Sequence, residues 1–304
     1  MEHVDWTRAN LPLAEMARRV RYFALIFCSL ACPLSLRAQW MGRQTSCYAA
    51  QIAANPNRPT VANPADITQY GVLEVESGWD RTSLGSGARL SDHGGLLKFG
   101  LLCDVELRWT TTTLLWENNE GGGQIGTGDN WFGPQIRFYR QTTHIPSLAI
   151  AYAVKAPTAS AAKGFGSGRV DHAITLLESK DLAGFHFDVN ETYFLIGRQG
   201  APGFDENVQM NLAFSHPLKG HLSITGEFYG DTKLNVSQPA FASTLWALTY
   251  GITPRLVIDG GIDEGLTHGA NQKRFFAGVT YSIANLYSAI KRRGNKTKSA
   301  SGSH

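Results

Sequence analysis

Charged side chains recur at every second position in several short segments of the chain. In residues 104–112, Glu106 and Arg108 alternate with apolar side chains. An extended backbone points successive side chains to opposite faces, so such a segment has one polar and one apolar face. Charged groups on a shared face can pair with one another, or they can select solutes by charge where a passage narrows. The candidates for this face are Glu74, Glu76, Lys98, Glu106, Arg108, Arg137, Lys155, Asp171, Asp188, Glu227, Asp259, Asp263 and Arg274.

No sequence signature of an enzyme accompanies these charges. The chain contains no G-x-S-x-G, H-E-x-x-H or P-loop motif and no paired C-x-x-C. A lipid enzyme embedded in a membrane would need a histidine such as His172, on the apolar face, beside a serine of a neighbouring strand; the sequence identifies no such pair. The sequence therefore predicts a protein that is not an enzyme, with no catalytic residue, no metal and no cofactor.

The alternating segments predict twelve strands. One segment is irregular, because Glu191 falls on its apolar face, and a bulge or a strand end is expected there. The predicted strands are residues 71–79, 95–101, 104–112, 131–139, 147–155, 170–177, 184–195, 207–215, 221–230, 241–250, 255–263 and 273–283.

Long and short connections alternate between these strands, which is typical of bacterial outer-membrane barrels. In lipid an unpaired backbone group costs several kcal/mol, so a sheet must close on itself. The expected fold is all-β: a closed antiparallel transmembrane β-barrel of about 12 strands in an up-and-down meander, with the polar face lining the lumen. A soluble barrel would show the same periodicity; the loop lengths and an export signal favour the membrane form. The long external loops are predicted near 80–94, 113–130, 156–169, 196–206, 231–240 and 264–272.

Composition agrees with a large β-protein. Charged residues are 17% of the 304 residues, against about 25% in typical soluble proteins, and 32 residues are glycine. With 43% hydrophobic residues and a net charge of +3, the chain does not have a disordered composition. No apolar run reaches the roughly 18–20 residues of a spanning helix. The charge distribution offers no basic face suited to nucleic acid.

Both ends of the chain are predicted to lie outside the barrel. Residues 1–38 combine arginines, an apolar run and Ala38 at a plausible cleavage site, which predicts a signal peptide; translation could start at Met16. Residues 39–68 are predicted to form a periplasmic segment or a plug. Residues 69–284 are predicted to form the barrel and residues 285–304 a basic flexible tail. Cys47 and Cys103 could form one disulfide or remain two free thiols.

Several short motifs resemble a family of bacterial outer-membrane proteins described as transporters of the phenol meta-cleavage pathway type. The resemblance covers about residues 57–283 and implies an outer-membrane β-barrel, often for the uptake of aromatic or other apolar compounds. The matching motifs are residues 57–60 (Asn-Arg-Pro-Thr), 63–66 (Asn-Pro-Ala-Asp), 71–78 (Gly-Val-Leu-Glu-Val-Glu-Ser-Gly), 99–108 (Phe-Gly-Leu-Leu-Cys-Asp-Val-Glu-Leu-Arg), 126–129 (Gly-Thr-Gly-Asp), 154–158 (Val-Lys-Ala-Pro-Thr) and 166–171 (Gly-Ser-Gly-Arg-Val-Asp).

The expected function is a passive channel for small, in particular aromatic or apolar, solutes. Twelve strands lie between the eight that give a filled interior and the sixteen or more of an open pore, so a narrow or plugged passage is expected. The expected partners are outer-membrane lipid, a small-molecule solute and the barrel-assembly machinery; the oligomeric state is left open. A structural or surface-binding barrel and a membrane-embedded lipid enzyme are the alternatives.

Overall fold

The structure is a computed structural model, and it describes residues 51–119, 122–232, 239–267, 270 and 272–288. The predicted signal peptide, Cys47 and most of the predicted tail lie outside these residues. The strands are β1 (Val72–Leu84), β2 (Arg89–Leu102), β3 (Val105–Asn119), β4 (Gly122–Gly126), β5 (Asn130–Tyr139), β6 (Ser147–Ala156), β7 (Asp171–Leu182), β8 (Phe185–Gly197), β9 (Phe204–Lys219), β10 (Leu222–Asp231), β11 (Phe241–Thr253), β12 (Leu256–Gly265) and β13 (Gln272–Asn285).

The sheet closes into a barrel. Apart from β4, each strand pairs antiparallel with the strands that precede and follow it in the wall, and β1 pairs with both β2 and the last strand, β13. Of the thirteen strands, the short β4 pairs only with β3, while β3 continues to β5, so twelve strands form the wall. The predicted closed, antiparallel, twelve-stranded meander is confirmed. Closure leaves no free edge along the wall, which is what a sheet in hydrocarbon requires.

The predicted limits of the loops are wrong in two places. The first external connection is residues 85–88 rather than 80–94, because β1 and β2 continue their pairing up to Ser83 and Arg89. The predicted loop 113–130 contains the end of β3 and all of β4. At the loop ends of β1 and β2 the outward side chains, such as Arg81 and Ser83, are polar, so the hydropathy alternation fades while the backbone ladder continues. We call this end of the barrel the loop end and the opposite end, with the connection 103–104, the turn end.

Neither the bulge nor the strand end expected near Glu191 occurs. Strand β8 pairs without a register shift with β7 and with β9 along its whole length. Glu191 lies opposite Leu176 on one side and Met210 on the other, in the middle of the strand. The backbone stays regular because the residues of β8 from His186 to Gly197 all have ladder partners on β9, so a single polar side chain on the apolar face does not interrupt the strand.

The two faces of the wall have an inverted polarity compared with a soluble protein. Glutamates, aspartates, lysines and asparagines are buried, while many large apolar side chains are exposed. An apolar surface of this extent is not stable in water and suits contact with hydrocarbon. We call the two sides the inner and outer faces. Large exposed side chains of the outer face include Trp79, Leu107, Trp109, Phe132, Ile150, Ile174, Met210, Leu212, Phe228, Trp246, Leu248, Ile258, Ile262 and Phe275.

Within the described part of the chain, no helix has the length and apolar character needed to cross a membrane.

The chain that follows β13 is fastened to the turn end. Asn285 donates a hydrogen bond from its Nδ2 to the Tyr70 carbonyl oxygen at 2.8 Å, and the Tyr287 hydroxyl donates to the Leu101 carbonyl oxygen at 3.0 Å. The rings of Tyr70 and Tyr287 lie 4.9 Å apart. These contacts hold residues 285–287 against the wall; the residues beyond 288 lie outside the described chain.

Candidate functional site

The chain segment before β1 crosses the inside of the barrel. We call residues 53–69 the inner segment. Its backbone and side chains hydrogen-bond to inner-face residues of β1, β3, β7, β8, β10, β12 and β13, which lie all around the wall. A segment with partners on opposite walls of a closed barrel must lie within it. The space left inside the barrel is therefore bounded by this segment as well as by the wall.

Two glutamates of β1 bind the start of the inner segment through its backbone. Glu74 accepts a hydrogen bond from the Asn55 N–H at 2.9 Å. Glu76 accepts two, from the N–H groups of Asn57 and Arg58, both at 2.9 Å. A backbone N–H that donates to a carboxylate makes a charge-assisted bond, worth about 1.5–3 kcal/mol. Both side chains are at most 1% exposed. These two buried carboxylates thus anchor the start of the inner segment to β1.

A fully buried lysine completes this cluster. The Lys98 Nζ lies 2.8 Å from Glu74 and 2.6 Å from Glu76, and it donates to the Asn57 side-chain oxygen at 2.8 Å and to the Asn55 carbonyl oxygen. Lys98 pairs with Glu74 across the β1–β2 ladder, so the register of these strands brings the charges together. One positive and two negative charges are buried here, and the inner segment supplies the remaining hydrogen-bond partners that burial requires.

Glu227 of β10 holds the middle of the inner segment. It accepts hydrogen bonds from the N–H groups of Val61 at 2.8 Å and Ala62 at 2.6 Å. Beyond it, the Asn63 N–H donates to the Asn190 side chain of β8 at 2.6 Å, and Asn190 donates back to the Asn63 carbonyl oxygen at 2.9 Å. This reciprocal pair fixes the segment against the wall opposite β1.

The end of the inner segment returns to β3 and β5. Glu106 accepts a hydrogen bond from the Thr68 N–H at 2.6 Å and forms an ion pair with Arg108 at 2.6 Å. Arg137 joins Asp66 of the segment at 2.5 Å to Asp104 at the turn end, at 2.9 Å. Asp66 is partly exposed, and its partner Arg137 also contacts Asp104 in the connection 103–104, so this pair lies near the turn-end opening.

Arg58 lies flat across two glycines of the wall. Its guanidinium contacts Asp259 of β12 at 3.2 Å. Gly78 and Gly278 face each other across the β1–β13 ladder, and a Cβ atom added at either would lie 2.3 Å or less from Arg58 atoms. The glycines therefore provide the space in which the Arg58 side chain reaches Asp259.

The remaining predicted side chains contact other inner-face residues towards the two ends of the barrel. Lys155 contacts Asp171 at 2.5 Å and Asp129 at 3.2 Å. Arg274 contacts Asp263 at 2.7 Å. Asp188 accepts a hydrogen bond from Ser179 at 2.5 Å and lies 3.2 Å from His186. The sequence left open whether these charges pair or select solutes; the structure shows the pairing, and selection stays a prediction.

All the charged residues predicted for the inner face lie on it, and none of their side chains is more than 25% exposed. They do not converge on one point. They form one cluster around Lys98, one contact at Glu227 and separate pairs towards the two ends of the barrel. No arrangement of three metal-ligating side chains occurs within the described residues.

A cavity of about 280 Å³ remains between the inner segment and the wall. Asn57, Val61 and Asn63 border it on the segment side, and Trp131 and Phe194 belong to its lining on the wall. The two rings meet edge to face with their centroids 6.4 Å apart. A cavity of roughly 150 Å³ already holds a benzene molecule, so this space is large enough for a small aromatic compound.

The sequence did not reveal the aromatic and amide groups of this cavity. Trp131 and Phe194 occupy inner-face positions that alternation alone assigns to polar side chains. Asn190 is uncharged, and only charged residues were selected as candidates for the inner face. The sequence did contain one signal for Trp131 and Gln135. Both lie an even number of positions from Arg137 on the same strand, which places them on the same face as Arg137. The partners of the inner segment could not be found from the sequence, because they are distant along the chain.

Substitution of Gly278 by valine tests how the inner segment is held. The added side chain would displace Arg58, so we expect hydrogen exchange at the amides of residues 55–63 to rise by about tenfold or more, equivalent to roughly 1.4 kcal/mol of lost binding. Exchange in the strands should stay unchanged. The matched control is Gly94→Val on β2, since a Cβ atom there meets no atom within 4 Å. Equal effects of the two variants would contradict the role of Arg58.

A closed barrel with an apolar outer face, a polar inner face and an internal segment places the protein in the class of membrane β-barrels. Within that class, residues 56–283 match the family described as "Putative MetA-pathway of phenol degradation". Because the match covers most of the chain, the protein belongs to this family. The resemblance seen in the sequence motifs is thereby confirmed. No curated protein matches the chain in a sequence comparison.

One solved outer-membrane channel shares the fold, and two others show a weaker similarity. The COG4313 outer membrane channel from Pseudomonas putida F1 superposes with a TM-score of 0.59 at 12% sequence identity, covering 72% of this chain and 98% of that chain. The KdgM porin gives 0.48 at 10% identity, covering 69% and 99%. The CymD monoaromatic hydrocarbon channel gives 0.39 at 9% identity, covering 72% and 90%. At these sequence identities the first similarity establishes the fold alone. The other two have TM-scores below 0.5, and no conclusion is drawn from them.

Proposed function

We propose that the protein is a passive outer-membrane channel for small solutes, with aromatic compounds of one ring as the preferred class. The observation that carries this proposal is the cavity between the inner segment and the wall, which combines a Trp131–Phe194 pair with amide groups. Aromatic rings favour edge-to-face contacts, and a few amides can bind a polar substituent such as a phenolic hydroxyl. Passage through such a channel breaks no covalent bond and uses no cofactor or energy source.

The inner segment would set the width of this passage. Its anchors at Glu74, Glu76, Glu106 and Glu227 are backbone hydrogen bonds to carboxylates, which do not depend on the side chains of the segment. We propose that the resting barrel is narrow and that larger solutes pass only when part of the segment leaves its anchors. The contact of Asp66 with Arg137 is the natural first one to open, since Asp66 is partly exposed.

The proposal includes a location and a route of export. Residues 1–38 would direct the chain to the periplasm, and the barrel-assembly machinery would insert it with its loop end outside. The apolar outer face would contact outer-membrane lipid. Cys103 lies in the connection 103–104 and is disulfide-bonded. With the turn end in the periplasm, this disulfide would lie in an oxidising compartment, as disulfides require.

Liposome swelling and single-channel current with the purified barrel test the proposal. We expect slow but measurable entry of a pentose and of benzoate, exclusion of a trisaccharide, and faster entry in the variant Trp131→Ala because it enlarges the cavity. Trp109→Ala, on the outer face, is the matched control and should leave entry unchanged.

A barrel that passes neither current nor any of these solutes, in the wild type and in Trp131→Ala alike, would contradict the channel proposal. That outcome would favour a structural or surface-binding barrel. Replacing loop-end residues would then alter a phenotype while replacing inner-face residues would not.

A further inference from the structure

On the outer face, away from the inner cavity, the ring of His93 contacts two hydroxyl side chains. The Ser77 hydroxyl of β1 lies 2.8 Å from the Nε2 of His93 on β2. The Nδ1 of the same ring lies 2.6 Å from the Thr113 hydroxyl of β3. A hydroxyl, an imidazole and a third oxygen on successive strands thus form one continuous chain of hydrogen bonds.

Strand register and one irregularity bring these groups together. Gly95 lies opposite Ser77, and His93 lies opposite Trp79, so Ser77 and His93 are diagonal neighbours on one face. The β2–β3 ladder shifts between His93 and Gly94, where Thr113 is the extra residue of β3. A bulge of this kind turns an additional side chain towards a chosen face. Here it places Thr113 beside the imidazole.

One arrangement of the protons on this ring fits all three contacts. The Thr113 hydroxyl lies 3.2 Å from the His93 carbonyl oxygen and can donate to it. Thr113 then accepts a hydrogen bond from Nδ1–H. In this arrangement Nε2 accepts the hydrogen bond of the Ser77 hydroxyl. This is the tautomer that a general base beside a serine nucleophile requires.

We propose that Ser77, His93 and Thr113 form a serine esterase site on the outer wall, acting on acyl esters of glycerophospholipids. Ser77 Oγ attacks the ester carbonyl carbon while His93 Nε2 takes its proton; the C–O bond to the glycerol oxygen then breaks, and that oxygen receives the proton. Water, deprotonated by His93, attacks the acyl-serine, releases the fatty acid and restores Ser77. Thr113 is a positioning residue that holds the ring in its reactive tautomer.

Space and surroundings favour a lipid substrate. Gly95 carries no side chain opposite Ser77, and the nearest atom to a Cβ built there is the Thr111 methyl group at 3.5 Å, so an acyl carbonyl can approach the hydroxyl. The ring of Trp79, 52% exposed on the outer face, lies 5.0 Å from that of His93. Arg81, exposed two residues further towards the loop end on the same face, can meet the lipid phosphate.

Release of fatty acid from vesicles of phosphatidylglycerol tests this site with the purified full chain. We expect turnover in the wild type and a fall of at least about 100-fold in both Ser77→Ala and His93→Ala, as is typical for loss of a nucleophile or its base. A lipid fluorophosphonate should label the wild type at Ser77 and leave Ser77→Ala unlabelled. Thr113→Val should shift the pH profile of turnover, which a purely structural role would not do.

Two matched controls separate catalysis from folding. His172, also on the outer face, hydrogen-bonds the Tyr152 hydroxyl at 2.7 Å, so His172→Ala removes a histidine of the same surface without a serine partner. Ser91→Ala removes a hydroxyl from the face of β2 that carries His93. Both should keep wild-type turnover and the heat-modifiable gel migration of the folded barrel. Absence of turnover and of labelling in the folded wild type, or equal turnover in Ser77→Ala, would overturn the proposal.

Discussion

Replacement of Lys98 by methionine is expected to cost about 3–5 kcal/mol of stability and to release the start of the inner segment. The substitution removes the only positive charge in contact with Glu74 and Glu76 among the described residues and leaves two carboxylates buried without a counter-charge. It also removes the donor to Asn55 and Asn57. Urea unfolding in bilayers measures the loss of stability, and single-channel current measures the expected widening of the passage.

Two comparisons separate the charge from the lost packing. The triple variant Lys98→Met, Glu74→Gln and Glu76→Gln removes all three charges and should regain most of the stability, because no unpaired charge remains. Lys273→Met breaks an ion pair of 2.8 Å with Glu264 in which both side chains are more than half exposed, and it should change stability by no more than about 1 kcal/mol. Equal losses for Lys98→Met and Lys273→Met would contradict the buried cluster as the main anchor.

A disulfide between the inner segment and the wall is expected to stop the passage of all but the smallest solutes. The Ala65 N–H donates to the Ser179 hydroxyl at 2.7 Å, so the variant Ala65→Cys, Ser179→Cys has its two thiols on contacting residues, and oxidation is expected to join them. Once oxidised, the bond would prevent the segment from leaving β7. Liposome swelling with a pentose should fall by about tenfold or more relative to the same protein kept reduced.

Reduction should restore the flux, and the single variants should not respond to oxidant. Because Cys103 is itself disulfide-bonded, wild-type protein treated with the same oxidant and reductant is the required control. Unchanged flux in a fully cross-linked sample would show that solutes pass without movement of the segment, and would contradict the proposed gating while leaving the channel itself intact.

The positions of the strands could be predicted because period-2 alternation is a local property. Each of the twelve predicted segments overlaps one wall strand, and the charged residues assigned to the polar face lie on the inner face. Segments such as 104–112, where Glu106 and Arg108 alternate with Leu107 and Trp109, needed no tertiary information. The direction of the inversion, polar inside and apolar outside, followed from the requirement that a sheet in lipid must close.

Strand ends could not be predicted with the same reliability. Arg81, Ser83 and Ser91 lie on the outer face beyond the apolar band, so the alternation disappears there although the ladder continues to Ser83 and Arg89. At Glu191 the sequence predicted an interruption that is absent. A polar residue at an apolar position suggested a bulge or a strand end, yet backbone hydrogen bonding to β7 and β9 keeps the strand regular.

By itself the amino-acid sequence determined the class of fold, the number of strands in the wall and the face of the charged side chains assigned to the lumen, since these depend only on neighbours along the chain. Closure of the barrel decided which distant residues meet. It brought Val61 and Ala62 to Glu227, 165 residues or more away, and aligned Ser77, His93 and Thr113 on three strands. Such contacts depend on register and on one bulge, and a shift of one residue would turn these side chains to the opposite face.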